Sequence, residues 1–482
     1  MHVGRQEWQQ LQARTAPEAG LARPAAERPL ASLYHRLADQ MPDEATREDA
    51  ARFLDAELAA LDPERADLPA TPDDLLEWMQ SSARSVHARY AAYLEGRRAG
   101  APRRYFANRA HALYVLRAIA PTKLVDGAWL YGLVEHWRNP RLADLVRTYV
   151  EELGEGAADK NHVVLYRRLL ARHALDPLDG LDDALYHQGL VQVALGWNAA
   201  RFLPEIVGFN LGYEQLPLHL LVTAYELNEL GLDPYYFTLH VTVDNPDSGH
   251  ARRACQAALD LLPRIDDAGA FWRRMRRGTQ LACAGLGTTQ VIEGFDIGQE
   301  VVRILSHKAG SGSGAHSDYC KVAGRPVNQW LADPAQVPAF LQALEDGGWI
   351  VRNAPPEQSR FWRLLQGDRA EMFGVFSAYE LQVIHDWIRG EASADGAAYD
   401  EAPPARRRPT FRAQVRNGLA GSVAGAEDDE LDPDLQVLEA RLRGATGDDR
   451  DALLVEAMSP CTHWTPAGLA ATRQFWREWS RN

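Results

Sequence analysis

Apolar positions recur at helical spacing over most of this chain. Residues 30–96 carry the pattern, with starts at Asp43, Asp62 and Thr71-Pro72, where a capping side chain or a proline precedes an apolar run. From 104 to about 290 the same period predicts helices over 105–119, 124–137, 141–153, 163–171, 181–200, 203–213, 216–230 and 234–245. Another begins after Gly249. The run LHVTV (239–243) is β-branched and partly alternating, as a strand would be. Asp233-Pro234 just before it, an N-cap followed by proline at the first helical position, favours helix.

Beyond about 290 the pattern weakens. SHKAGSGSGAHSDYC (306–320) is rich in Gly and Ser, carries His307, Lys308 and His316, and lacks Walker spacing; it reads as a lid or connector. Short helices are expected at 334–345, 356–365 and 378–388, and a last one behind Thr465-Pro466. Residues 1 to about 30 and about 392–433 have the composition of mobile segments. The expectation is an all-α protein in three parts: an N-terminal helical extension (1–103), a compact helical unit (104–290) and a mainly helical C-terminal region (291–482).

Composition narrows the functions. A chain of 482 residues exceeds the usual size of one core. The net charge of −14 argues against nucleic acid as a partner, and the arginine clusters at 273–277 and 406–408 read as solvated surface. Cys255, Cys283, Cys320 and Cys461 are scattered without a CxxC, which supports neither a zinc knuckle nor a disulfide framework. The opening MHVGRQEWQQ lacks the apolar core of a signal peptide, and no apolar run reaches membrane-spanning length. A cytoplasmic protein without a membrane partner is expected.

Candidate chemistry concentrates between 152 and 250. His240 and Asp244 stand at i and i+4, on one helical face. His250 is about 240° further round an ideal helix, so a straight helix would turn it away. The breaker NPDSG (245–249) lets the chain bend and return it. Glu152 and His162 would be about 15 Å apart on one straight helix, but Gly154, Gly156 and Asp159 predict a turn that brings them together. Glu205 and Glu214 are nine residues apart and face opposite ways on a continuous helix. Glu205 is preferred because it lies in the apolar run FLPEIVGF, where a buried carboxylate needs a compensating partner. Glu226 is held in reserve, and His219 reads as structural.

Each residue alone has an ordinary reading, as a solvated glutamate or a packed histidine. Together, Glu152, His162, Glu205, His240, Asp244 and His250 offer three carboxylates and three imidazoles on a helical scaffold, a set suited to iron or manganese. Two Fe(II) ions could share a bridging carboxylate and keep open positions for O2. Zinc is less apt, since its catalytic sites generally use three protein ligands.

The E-x9-H pair, the later Glu and the closing His-x3-Asp followed by His resemble the haem-oxygenase-like diiron oxidases and oxygenases. FLPEIVGFNLGYE, DPYYFTLHVTVDN and SGHARRA resemble the branch of iron-containing redox enzymes, over about 104–290. KAGSGSGAHSDYCKVAGRPVNQWL, GVFSAYELQVIHDWI and SPCTHWTPAGLAAT resemble its longer members. The resemblance implies a haem-oxygenase-like bundle of seven helices that binds two irons instead of haem. It implies activation of O2 on a small metabolite, often an amino acid or fatty acid, by N-oxygenation, desaturation, oxidative C–C cleavage or cyclisation. It assigns the metal to the six residues above. Two departures stand out: five residues separate Asp244 from His250 where many relatives have two, which makes Asp247 the close-spaced alternative, and Asp126 is the nearest match to a seventh, upstream ligand of N-oxygenating members.

The expected function is thus an O2-dependent diiron enzyme acting on a small, amino-acid-derived metabolite, with an external electron donor and a homodimer as possible partners. A metal-dependent hydrolase is the rival enzyme class, and HExxH and GxSxG are both missing. A non-catalytic helical metal-binding or scaffolding protein is the rival outside enzymes.

Overall fold

The computed structural model describes residues 28–175, 180–243, 249–265, 267–312, 314, 316, 317, 319–367, 370–390 and 431–480. The expected mobile segments at 1–30 and 392–433 lie almost wholly outside these, and Asp244 and Asp247 entirely so. The described chain is all-α apart from one two-residue antiparallel pair, Lys321–Val322 with Arg325–Pro326.

The helices that matter below are α1 (Pro29–Ala38), α2 (Glu44–Ala59), α3 (Leu75–Arg98), α4 (Arg109–Ala118), α5 (Ala143–Glu152), α6 (His162–Arg172), α7 (His187–Trp197), α8 (Ala199–Tyr213), α9 (Leu218–Glu229), α10 (Tyr235–Val243), α11 (His250–Asp260), α12 (Ala268–Leu281), α13 (Ile297–Gly312), α14 (Ala378–Arg389), α15 (Pro433–Gly444), α16 (Gly447–Ala457) and α17 (Pro466–Trp479). The capping signals act as expected. Asp43 accepts from Thr46 N, and Thr465 accepts from Gly468 N. LHVTV lies in helix α10.

Two expectations change. The predicted 124–137 helix is broken: after Ala120–Lys123 the chain turns through Gly127 (φ +82°) into the 3-10 helix Ala128–His136. A Cβ at Gly127 would stand 2.9 Å from that of Glu152, so glycine allows both the left-handed turn and the close approach. The start of the Gly/Ser-rich 306–320 stretch is the end of α13, helical as far as Gly312.

The buried side chains form two clusters. One joins α1, α2, the start of α3, α5, α7, α8, α11, α12 and the last three helices, with Trp129, Tyr149 and Phe209 fully enclosed. The other joins α4, α6, α9, α10, α13 and α14. Helices α8 and α12 meet backbone to backbone: a Cβ on Gly208 would lie 1.9 Å from Met275 O, and one on Gly278 2.1 Å from Glu205 O. This contact fixes which face of α8 looks toward α12, and hence which glutamate looks away.

Candidate metal centre

Among the described residues, two groups of buried side chains could hold a metal ion: Asp126, Glu152, His162 and His240, and Glu152, Glu214 and His250. Within each group the ligand atoms lie within 4.8 Å of one another, and Glu152 belongs to both. The residues come from both cores. Glu152, Glu214 and His250 stand at the ends of α5, α8 and α11; His162 opens α6 and His240 lies in α10.

The turn between Glu152 and His162 forms as the glycines predict. Gly154, Glu155 and Gly156 all have positive φ (64°, 54° and 84°), which reverses the chain within one short loop. Asn161 then caps α6 by accepting from Val164 N at 3.0 Å. His162 Nδ1 lies against Glu152 Oε2 without a directed hydrogen bond, and 4.0 Å from Asp126 Oδ2.

The other two imidazoles are held by one nitrogen each. His240 Nδ1 is 2.9 Å from the Tyr236 carbonyl, which can only accept, so that nitrogen carries the proton. Nε2 faces Asp126 Oδ2, 3.1 Å away: it donates to that carboxylate when the ring is protonated and is the nitrogen left for a metal when the ring is neutral. Tyr236 also donates its hydroxyl to the same Asp126 oxygen at 2.6 Å. On His250, Nε2 pairs with Glu151 Oε2 at 3.0 Å, while Nδ1 faces Glu214 Oε2 at 3.0 Å and Glu152 Oε1 at 3.2 Å. Glu151 is itself gripped by Arg147 and Arg253.

Electrostatics favour ionised carboxylates. Burial opposes ionisation of Glu152, yet the His162 and His250 rings hold its carboxyl well below the usual range. Burial likewise opposes ionisation of Asp126, and Lys123 and His240 outweigh it. The Lys123 ammonium sits 5.6 Å from the Tyr213 ring and 5.8 Å from that of Tyr236. Burial also opposes Glu151, but hydrogen bonds from His250 and Arg147, with Arg253 nearby, bring it down to about 2.

These residues fit a cationic metal pair. Asp126, Glu152 and Glu214 are each at most 4 % exposed, and three buried carboxylates repel one another unless cations stand among them. Each imidazole turns a nitrogen toward the carboxylates, and Glu152 offers one oxygen to each group.

The structure brings together Glu152, His162, His240 and His250 of the six expected residues. It does not bring Glu205. That carboxylate forms a two-pronged pair with Arg274 (2.6 and 2.7 Å) on the α12 side of α8. The preference for Glu205 over Glu214 is thereby corrected: nine residues further on, Glu214 takes the opposite face and enters the cluster. Burial of Glu205 was rightly inferred, but its compensating partner is an arginine rather than a metal. Asp126 joins the cluster, made accessible by the Gly127 turn that the periodicity did not show. Glu226 is engaged elsewhere, accepting from Tyr93 Oη and the backbone N–H groups of Arg104, Tyr105 and Phe106 at 2.5–3.0 Å.

An all-α fold that buries mixed carboxylate and imidazole groups offers the kind of ligand set that helical metalloproteins use. Residues 113–282 match the model of the family described as iron-containing redox enzyme. No curated protein and no solved structure matches the chain. All residues of the two groups lie inside the matched stretch. Among the described residues, no helix is long and apolar enough to cross a membrane.

Proposed function

We propose that this protein is an O2-activating, non-haem diiron oxidase or oxygenase acting on a small, amino-acid-derived metabolite. The observation that carries the reading is Glu152, which stands between two buried ligand groups and offers one oxygen to each. One ion would be held by Asp126, His162 and His240, the other by Glu214 and His250, with Glu152 common to both. Ferrous ions bound there supply electrons for reducing O2 and the oxidising power that acts on an amine or a C–H bond.

The chain's own part is to hold, orient and exclude. The Tyr236 carbonyl keeps the His240 proton on Nδ1, and Glu151 keeps that of His250 on Nε2, so each ring offers a fixed nitrogen. Tyr166 and Tyr236, both enclosed, shield the Asp126 side from water. Lys123 balances the charge of Asp126. The family resemblance links an acidic residue at this place to N-oxygenation, which makes the substrate's amine the favoured target. Each turnover of an oxidised centre requires an external electron donor.

The test is anaerobic loading with Fe(II), followed by O2-uptake measurements with a panel of amino acids and their N-alkyl derivatives. Uptake stimulated by one chemical class, with oxygen recovered in the product, is expected. A loaded protein that consumes no O2 with any reductant favours a non-catalytic metal-binding protein.

A further inference from the structure

Residues 458–473 lie outside the stretch that matches the family, yet they grip the loop joining Glu152 to His162. Tyr149, three residues before Glu152, donates its hydroxyl to the Met458 carbonyl at 2.6 Å. Asn161, immediately ahead of His162, is fully buried. Its Oδ1 caps α6 through Val164 N, which fixes the orientation of the amide. Its Nδ2 then points at Leu153 O (3.3 Å), His463 Nδ1 (3.2 Å) and His463 O (3.4 Å).

Leu153 follows one residue of the cluster and Asn161 precedes another. One amide therefore ties the exit of α5 to the entry of α6, with His463 behind it. An amide donating to Nδ1 requires that nitrogen unprotonated, so His463 carries its proton on Nε2. The same loop touches α17. Gly156 O accepts from Arg473 Nη1 at 3.2 Å, and a Cβ on Gly156 would stand 2.5 Å from Leu469 O. Trp464 completes the grip, its ring 3.8 Å from the Arg167 guanidinium on α6.

We infer that His463 is a positioning residue for the metal centre: through Asn161 it sets the spacing of Glu152 and His162. The C-terminal segment is then part of the functional unit, although none of its residues belongs to either ligand group. This inference rests on the metal reading above, and its test separates the two.

Full-length wild type, His463→Leu, His463→Asn and Arg473→Ala are titrated without air, using Fe(II) or Co(II) alone as probe. Leucine fills the space but removes the acceptor; asparagine places Oδ1 near the lost Nδ1. With helical circular dichroism unchanged, His463→Leu should weaken binding by about 10–100-fold and alter the visible Co(II) spectrum, the range typical for loss of an outer partner of a ligand. His463→Asn should stay within about threefold of wild type, and Arg473→Ala should lose about 3–10-fold. Wild-type affinity in folded His463→Leu overturns the inference, as does equal loss with leucine and asparagine. If His463→Leu does not fold, Arg473→Ala decides, and wild-type affinity there overturns the inference. Wild type that binds neither ion overturns the metal reading itself.

Discussion

Asp126, His162 and His240 sit among enclosed aromatic rings, with Lys123 as their nearest counter-charge. Glu214 and His250 sit at helix ends, and the group that orients His250 is Glu151, a fifth exposed and shared with two arginines. The first half of the centre is therefore set by buried, uncharged hydrogen bonds such as His240 Nδ1 to the Tyr236 carbonyl. The second depends on an ion-pair network that water and salt reach. On the proposed diiron reading, such a centre would have one firm position and one whose occupancy responds to its surroundings, with Glu152 coupling the two.

The most damaging change to this arrangement is at the shared residue. Glu152→Ala should abolish stoichiometric binding at both positions, measured as Fe(II) per chain by equilibrium dialysis, whereas His240→Ala should leave one ion. Retention of two ions by Glu152→Ala would break the coupling of the halves.

The two glutamates of α8 give the next largest contrast. Glu214→Ala should lose the ion of the second half with its unfolding midpoint nearly unchanged. Glu205→Ala should keep both ions but lose about 1–2 kcal/mol in urea unfolding, since it frees a half-exposed Arg274 from its fork. The opposite pattern would return Glu205 to the site.

A smaller effect is expected at Glu151. Glu151→Ala should weaken only the second ion, by about tenfold, and Glu151→Gln should recover much of that loss. Equal weakening of both ions would show that the network serves the fold rather than His250.

These contrasts also mark what the sequence made legible. The all-α class, the helix starts at Asp43 and Thr465 and the reversal between Glu152 and His162 follow from local signals, namely caps, glycines and a proline. Glu205 against Glu214 could not be decided locally. The deciding facts are Gly278 and Arg274, some 70 residues away on α12, which claim one face of α8. Asp126 came into view only through the resemblance, because the periodicity reads its flanks as continuous helix; Gly127, pressed against Glu152, shows why the helix breaks. The grip of His463 on Asn161 spans 302 residues and leaves no periodic trace.

A separate prediction concerns acid. Burial lowers the pKa values of His111, His173 and His219 to about 4. His111 shows why the neutral ring suits its place: Nε2 donates to the Ile292 carbonyl and Nδ1 accepts from Ala107 N. Below their ordinary value of about 6.5 these rings take up protons when unfolded but not when folded, so stability falls from pH 6.5 toward 4. The urea midpoint should therefore drop between pH 7 and pH 5, before most carboxylates titrate. A flat midpoint over that range would contradict the neutral buried assignment.

The central claim, two ions sharing Glu152, is tested most directly by Mössbauer spectroscopy of the full chain loaded with 57Fe(II) without air. Two ferrous ions per chain in distinct environments, both oxidised on exposure to O2, are expected. A single iron per chain, or tight stoichiometric zinc that excludes iron and leaves O2 unconsumed, would contradict it.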